Sequence, residues 1–331
     1  MAIAIISNKG HLAKLFLGVI DVLRINELCR RGRPYVYPTK VIIKLFLVMV
    51  YYRLNSVRSL ARFIIQHPGL AEACGLNYRL PCYRTLTRRF KCIDGAVFML
   101  VNRLLRKLIS KRVIRLAILA ADGSLLKAKG KEQPLKRPDI IPADKEAKWG
   151  YSLTRGWVWG YKLHLISTVK PCIVPLIWLI TSANFQESPR FINLAKRIVE
   201  LAKITSKRIK AFLADSAYEC KDIYQWSKKE RRINFICPIK DGKIKHPRSK
   251  ERKMRLKYFK GKRVKKLFRR RADIERLFSQ LKELFTIDPL PIIGLKNVST
   301  YVNLTSLAYL AAVYYNYSNG RGLRQIKSIV A

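Results

Sequence analysis

The chain has 331 residues, 67 of them Lys or Arg against 21 Asp or Glu, which gives a formal net charge of +46 and a sequence pI near 10.4. So large an excess of one sign calls for a polyanionic partner, and 49% hydrophobic residues mark folded domains, two or three by length, and exclude a disordered basic tail. The longest apolar stretches, near residues 41–52, 173–180 and 304–315, are too short or interrupted to span a bilayer, so no membrane partner is expected.

Seven cysteines without a Cys-x-x-Cys pair and four scattered histidines offer neither a zinc site nor a disulfide framework. The opening residues lack the pattern of a secretion leader, and a cytoplasmic, nucleoid-associated protein is expected.

Residues 1–110 read as a helical domain. Val57, Leu60, Ala61, Ile64 and Ile65 recur at helical spacing behind Ser56, an N-cap residue type, and Gly75 stands where the following short helix should end. After Pro81 comes an apolar stripe of Tyr83, Leu86, Phe90 and Ile93, with Arg84, Arg88 and Lys91 beside Thr87 on the other face. That layout suits the recognition helix of a helix-turn-helix, and equally an ordinary amphipathic surface helix; the net charge favours the first.

From Arg115 the pattern turns to short apolar runs, "LAILAADGS", "YKLHLISTV" and "CIVPLIWLIT", then a helix opened by Ser188-Pro189 with Phe191, Leu194, Ala195, Ile198 and Ala202 inward. "IKAFLADSAY", a helix near residues 219–230, the strand "INFICPI" and a long helix over about 264–285 follow. The order β-β-β-α-β-α-β-α predicts an α/β core, a mixed sheet flanked by helices, over residues 111–293. Residues 294–331 form a helical tail expected to pack on this body. Between Lys240 and Arg271 lie seventeen Lys or Arg and two acids, and residues 240–263 read as a flexible basic loop.

In an unbroken helix at about 100° per residue, Arg271, Glu275 and Lys282 fall within roughly 40° of one another, and Phe268 within about 60° of Arg271. The bland alternative is an i,i+4 surface ion pair. Asp122 and Asp215 end the runs "AILAAD" and "AFLAD", where functional side chains gather in open sheets, although Asp before Gly or Ser also serves plain turns. If Asp122, Asp215 and Glu275 converge, they make a hard-oxygen site for Mg²⁺ or Mn²⁺, two ions of which carry out phosphoryl transfer on nucleic acid. Tryptophans 149, 157 and 159, interleaved with Lys148 and Arg155, suit either core packing or base stacking. His164 reads as structural or phosphate-contacting.

Arg271-x3-Glu275-x6-Lys282, with Phe268 at the aromatic position, resembles the Tyr-x2-Arg-x3-Glu-x6-Lys signature of one group of DDE transposases from bacterial and archaeal insertion sequences. "ADGS" at Asp122 and "ADSAY" at Asp215 resemble that family's acidic motifs, and "DKEAKWG" from Asp144 and "GYKLHLI" from Gly160 resemble stretches between them. The resemblance implies an RNase H-like core, a metal-binding triad of Asp122, Asp215 and Glu275, and movement of a double-stranded DNA element by a homodimer acting on no small-molecule substrate. It implies that Arg271 and Lys282 contact phosphate and that Phe268 holds terminal nucleotides without the tyrosine's hydroxyl. The 60 residues from Asp215 to Glu275 leave no room for a large inserted domain. A DNA-binding repressor with an inactive core and a stand-alone nuclease are the competing readings.

Overall fold

A computed structural model describes residues 17–25, 34–77, 79–134, 140–230, 233–239 and 250–330. The helices α1 (Thr39–Tyr51), α2 (Val57–Gln66), α3 (Pro68–Cys74), α4 (Tyr83–Phe90) and α5 (Asp94–Ser110) come first. Then follow β1 (Ile118–Lys127), β2 (Lys148–Ser152), β3 (Gly156–Thr168), β4 (Pro175–Ser182), α6 (Ser188–Ile204), β5 (Ala211–Ala214), α7 (Lys221–Lys229) and β6 (Asn234–Ile236). The chain closes with α8 (Lys250–Lys260), α9 (Lys262–Phe268), α10 (Ala272–Phe285), α11 (Leu295–Ser318) and α12 (Lys327–Val330).

The chain divides into two units, one of residues 1–108, 126–147 and 280–331, the other of 109–125 and 148–279. These do not follow the expected boundaries at 110 and 294. In the first unit α11 packs on α1, so the tail joins the N-terminal helices instead of the sheet body. Both helices are apolar almost all round, with Ile42, Phe46 and Leu47 of one and Leu304, Leu307 and Leu310 of the other at 0% exposure, and a helix of that kind needs cover on every side. Its N-terminal amides are met by carboxylates: Gly294 N donates to Asp144 Oδ2 (3.0 Å) and Leu295 N to Glu146 Oε2 (2.9 Å). The "DKEAKWG" stretch therefore caps α11. Among the described residues no helix is long and apolar enough to cross a membrane.

Local punctuation in this unit is as expected. Ser56 caps α2, its hydroxyl accepting from Ser59 N at 3.0 Å while Ser59 answers at Ser56 N, and Gly75 ends α3 at φ 94°, where a Cβ is strained. On α4, Leu86 and Phe90 are buried with Ile93 beyond them, while Arg84, Thr87, Arg88 and Lys91 are exposed.

The second unit is built on a six-stranded sheet in the order β2-β3-β1-β5-β6, with β4 also paired to β3. Pairs β3–β4 and β2–β3 are antiparallel, and β1–β5 and β5–β6 parallel, which gives the mixed sheet expected. One strand more than expected precedes the first helix: β2 forms because Trp149 meets Trp159 and Tyr151 meets Trp157 across the hairpin, edge-on at 5.6 and 5.4 Å. Trp159 is core at 3% exposure and Trp157 is 58% exposed, so the three tryptophans split between the two roles. Helix α6 buries Phe191, Leu194, Ala195, Ile198 and Ala202 as its periodicity predicts.

The long helix expected over 264–285 is broken. Residues Arg269–Arg271 wind as a 3₁₀ turn between α9 and α10, and α8 replaces the basic loop over 250–260; residues 240–249 lie outside those described. Lys and Arg are good helix formers, so α8 winds without a single buried residue.

Candidate active site

The register of the parallel pair builds the site. Strand β1 pairs with β5 from Ile118↔Ala211 to Ala121↔Ala214, so Asp122 and Asp215 are the next residue of each strand, on neighbouring strands and at the same level. Strands lie about 4.8 Å apart, and side chains at the same level of a parallel pair share a face. Asp122 does not end its strand, as expected, but sits mid-strand, because β1 continues to Lys127 after its pairing with β5 stops.

Each aspartate is anchored locally. Asp122 Oδ1 accepts from Gly123 N at 2.8 Å, and Asp215 Oδ1 accepts from Ala217 N at 3.0 Å, capping the 3₁₀ turn Ser216–Tyr218. The turn-forming role weighed for Asp215 is therefore real, and it fixes the carboxylate. Cys237 Sγ donates to Asp215 O at 2.9 Å.

Arg271 joins the third acid to the first. Its Nη1 donates to Asp122 Oδ2 at 3.1 Å and its Nη2 to Glu275 Oε1, so one guanidinium stands between the two carboxylates. The i,i+4 pair weighed as a bland alternative exists, but as half of a bridge to the sheet. Burial and then the Asp215 charge push the Asp122 carboxyl up to about 7, against the pull of Arg271; Glu275 adds to the push. Asp215 is raised as well, by burial. Both aspartates resist ionisation chiefly because they are buried, and the Arg271 guanidinium partly offsets that in each.

Among the described residues no group of three or more His, Cys, Asp or Glu is arranged as a metal site. The donor chemistry nonetheless fits a hard divalent cation: Asp122, Asp215 and Glu275 offer only carboxylate oxygens, and the Arg271 guanidinium stands in as the cation between two of them.

The other candidate residues lie as follows. The Phe268 ring packs edge-on to Phe259 at 5.0 Å, against the apolar cluster of Ala211, Leu213 and Ile236, because the 3₁₀ turn ends α9 and lets its apolar side settle on β5 and β6. Lys282 shares α10 with Glu275 and pairs with Asp288 at 3.2 Å. His164 is 1% exposed, bonds Thr181 through Nε2 at 2.9 Å and is pushed down to about 4 by burial, which leaves the structural reading. Arg84, Arg88 and Lys91 stand on the solvent side of α4, in the other unit.

One buried ion pair beside β1 had no signal in the sequence. Glu187, just before α6, lies over Gly123 so closely that a Cβ there would meet its Cγ at 2.9 Å, and its Oε1 accepts from Lys162 Nζ at 2.9 Å.

The family described as Transposase DDE domain matches residues 115–311, and that described as Transposase domain (DUF772) matches residues 2–92. No curated protein matches. Among solved structures, the piggyBac transposase synaptic complex with hairpin DNA aligns with TM-score 0.45 at 9% identity, over 96% of this chain and 74% of that one. The Drosophila P element transposase strand transfer complex aligns with TM-score 0.31 at 11% identity, over 88% and 83%, and the Mos1 strand transfer complex with 0.30 at 10%, over 92% and 80%. With the Transposase DDE domain covering more than half of its length, and both acidic strands inside that stretch, the chain belongs to the DDE transposase family and is a transposase.

Proposed function

We propose that this transposase binds the ends of a mobile double-stranded DNA element and cleaves and joins strands at a divalent-cation site made by Asp122, Asp215 and Glu275. The observation that carries the reading is the placement of Asp122 and Asp215 at one level of a parallel pair, with Arg271 linking Asp122 to Glu275. Asp122, Asp215 and Glu275 would hold Mg²⁺ or Mn²⁺, two ions when the site is full, whose chemistry would be to activate a water or 3′-hydroxyl and to stabilise the leaving oxygen. The chain's own part is to hold three carboxylates, two of them on the sheet where burial, and for Asp122 also the Asp215 charge, disfavours ionisation. Arg271, freed from its bridge, presents a fork of donors suited to the scissile phosphate.

Arg84, Arg88 and Lys91 on α4 are assigned to the DNA end, and Lys282 and Phe268 stay assigned to DNA near the cleaved bond once rearranged from the contacts described above. Joining two ends calls for at least two copies of the chain, hence a homodimer on DNA. Replacing Arg88 by Ala is expected to weaken end binding and to lower the slope of log K against log salt by about one phosphate contact, read by fluorescence anisotropy over a salt series. Arg89 makes the contrast: at 2% exposure it bonds Thr39 Oγ1 at 2.9 Å and stacks over Tyr35 at 3.6 Å, so its loss acts on folding.

The direct test is cleavage of labelled DNA carrying the ends of the element in Mg²⁺ or Mn²⁺. Wild type is expected to nick at the boundary and Glu275→Gln to bind without nicking. Undiminished nicking by Glu275→Gln removes that acid from the site.

A further inference from the structure

The hairpin of β2 and β3 carries two large rings that neither the core nor the cation site uses. Tyr151 and Trp157 pair across it, edge-on at 5.4 Å, and each is 58% exposed, with Leu153 at the tip 93% exposed. Strand β2 is the last of the sheet on that side, and an aromatic patch left in water on an edge strand invites association. The next pair along the hairpin, Trp149 with Trp159, shows the contrast. Packing accounts for Trp159, but it leaves the faces of Tyr151 and Trp157 to solvent.

The side of the sheet they occupy follows from the register. Val158 pairs with Gly150 and clusters with Leu125 and Ala183, while Lys162, on the same side of β3 as Val158, holds the Glu187 that lies over Gly123. Gly123 and Leu125 therefore share one face of the sheet with Val158 and Gly150. By alternation Asp122 stands on the opposite face, and so do Trp157 and Tyr151. Leu125 is three residues beyond Asp122, roughly 10 Å, or about three nucleotide steps at the duplex rise of about 3.4 Å. Arg155 Nη1 donates to Leu125 O at 3.2 Å, which ties the tip of the hairpin to that end of β1. Residues 147–160 contain two cations, Lys148 and Arg155, both exposed, and no acid.

We infer that Trp157 and Tyr151 form a stacking platform for unpaired bases of the DNA strand that lies on the Asp122 face. Any base offers a flat face to such a ring, and Lys148 and Arg155 supply positive charge for the phosphates that come with it. The same charge argues against a second copy of the chain as the occupant, since that surface would bring a strongly cationic protein against these cations. The inference rests on the reading given above, that DNA is the substrate and that Asp122 marks the reacting face.

The experiment compares binding of a labelled blunt duplex with that of the same duplex ending in a short single-stranded thymidine tail. Binding is read by fluorescence anisotropy with no divalent cation present and at raised salt, where phosphate contacts contribute least. Wild type is expected to prefer the tailed duplex by about 5-fold or more, the scale of one stacked base. Trp157→Ile keeps an apolar, β-branched partner for Tyr151 but has no ring face, and it is expected to lose most of that preference while binding the blunt duplex as wild type does. Trp157→Phe is expected to retain the preference. Rings that serve only to hold the two strands together predict undiminished preference in Trp157→Ile, and that result overturns the inference. Equal weakening on both duplexes, or no preference in wild type, overturns it too, as does a change in the assembly state of the DNA-free protein on light scattering, which identifies the rings as a contact between copies. Far-UV circular dichroism checks folding, and if Trp157→Ile does not fold, Tyr151→Val carries the same comparison. Asp122→Asn separates this inference from the reading beneath it: with no cation present it is expected to keep the tail preference, while its cleavage reports on the triad, which stands or falls without Trp157.

Discussion

Asparagine at position 122 is expected to abolish cleavage and, at neutral pH without metal, to make the protein more stable. The Asp122 carboxyl rises from its ordinary 3.8 to about 7 in the folded chain, through burial first and the Asp215 charge second. The folded state thus holds a proton that the unfolded state releases between about pH 4 and pH 7. Stability from this group is fully present below about pH 4 and is lost as pH climbs through 7. Asparagine has no proton to lose, so the variant should be flatter with pH over that window and ahead of wild type above it, by an amount on the order of a few kcal/mol. Loss of the Arg271 partner works against this gain and is the smaller contribution, since Arg271 also keeps Glu275. Cleavage should fall by about three orders of magnitude or more, because one carboxylate of the cation site is worth several kcal/mol in the transition state. Urea midpoints at pH 4.5 and pH 7.5, with a cleavage assay on the same preparations, read both effects. An Asp122→Asn variant less stable than wild type at pH 7.5 contradicts the strained-carboxylate account, and one that still cleaves contradicts the triad.

The sheet body was legible because its strands announce themselves. "AILAAD" and "AFLAD" are short apolar runs ending in an acid, and the parallel register Ile118↔Ala211 to Ala121↔Ala214 is what puts Asp122 and Asp215 level. Ser188-Pro189 with its inward stripe, Ser56 and Gly75 were legible for the same local reason, each being a residue type whose conformational preference decides the backbone on its own. Strand β2 was not, since its stability lies in cross-strand Trp and Tyr pairs that a one-dimensional pattern does not display.

Two misreadings share one cause. Residues 250–271 carry so much positive charge that apolar periodicity vanishes, and a run without periodicity reads as loop, although Lys and Arg favour helix. The same crowding hid the 3₁₀ turn at Arg269–Arg271, where each residue turns about 120° instead of 100°, although the Arg271 guanidinium still stands over the Phe268 ring at 6.0 Å, as a shared face requires. From Arg271 onward the wheel works: Arg271 and Glu275 do meet. Glu187 was out of reach for a different reason. It follows "SANFQ", where nothing marks an acid as special, and only the folded path of the chain brings it against Gly123.

Alanine in place of Phe212 is expected to cost about 3–5 kcal/mol, the usual range for emptying an aromatic site in a packed core. Phe212 is 0% exposed on β5, the strand that pairs with both β1 and β6, and its ring meets Phe191 edge-on at 5.3 Å and Trp226 at 6.2 Å. The surrounding rings of Phe191, Phe235 and Trp226 belong to three different elements, so a collapse into the cavity must shift α6, α7 and β6 together, and the cost falls at the high end where a site cannot relax. Stability of a whole domain is about 5–15 kcal/mol, so such a loss takes a large share of it. Leucine at the same position keeps most of the apolar volume and should cost markedly less. Because Asp215 stands three residues beyond Phe212, immediately after β5, and its level with Asp122 follows from the β1–β5 pairing, Mn²⁺ affinity and stability are expected to decline together in Phe212→Ala and to recover together in Phe212→Leu. Chemical unfolding alongside Mn²⁺ binding at low temperature, where the alanine variant remains folded, reads both. If stability falls while cation affinity is untouched, the two aspartates are positioned by their turns, Gly123 N on one and Ala217 N on the other, and the strand pairing is dispensable for the site.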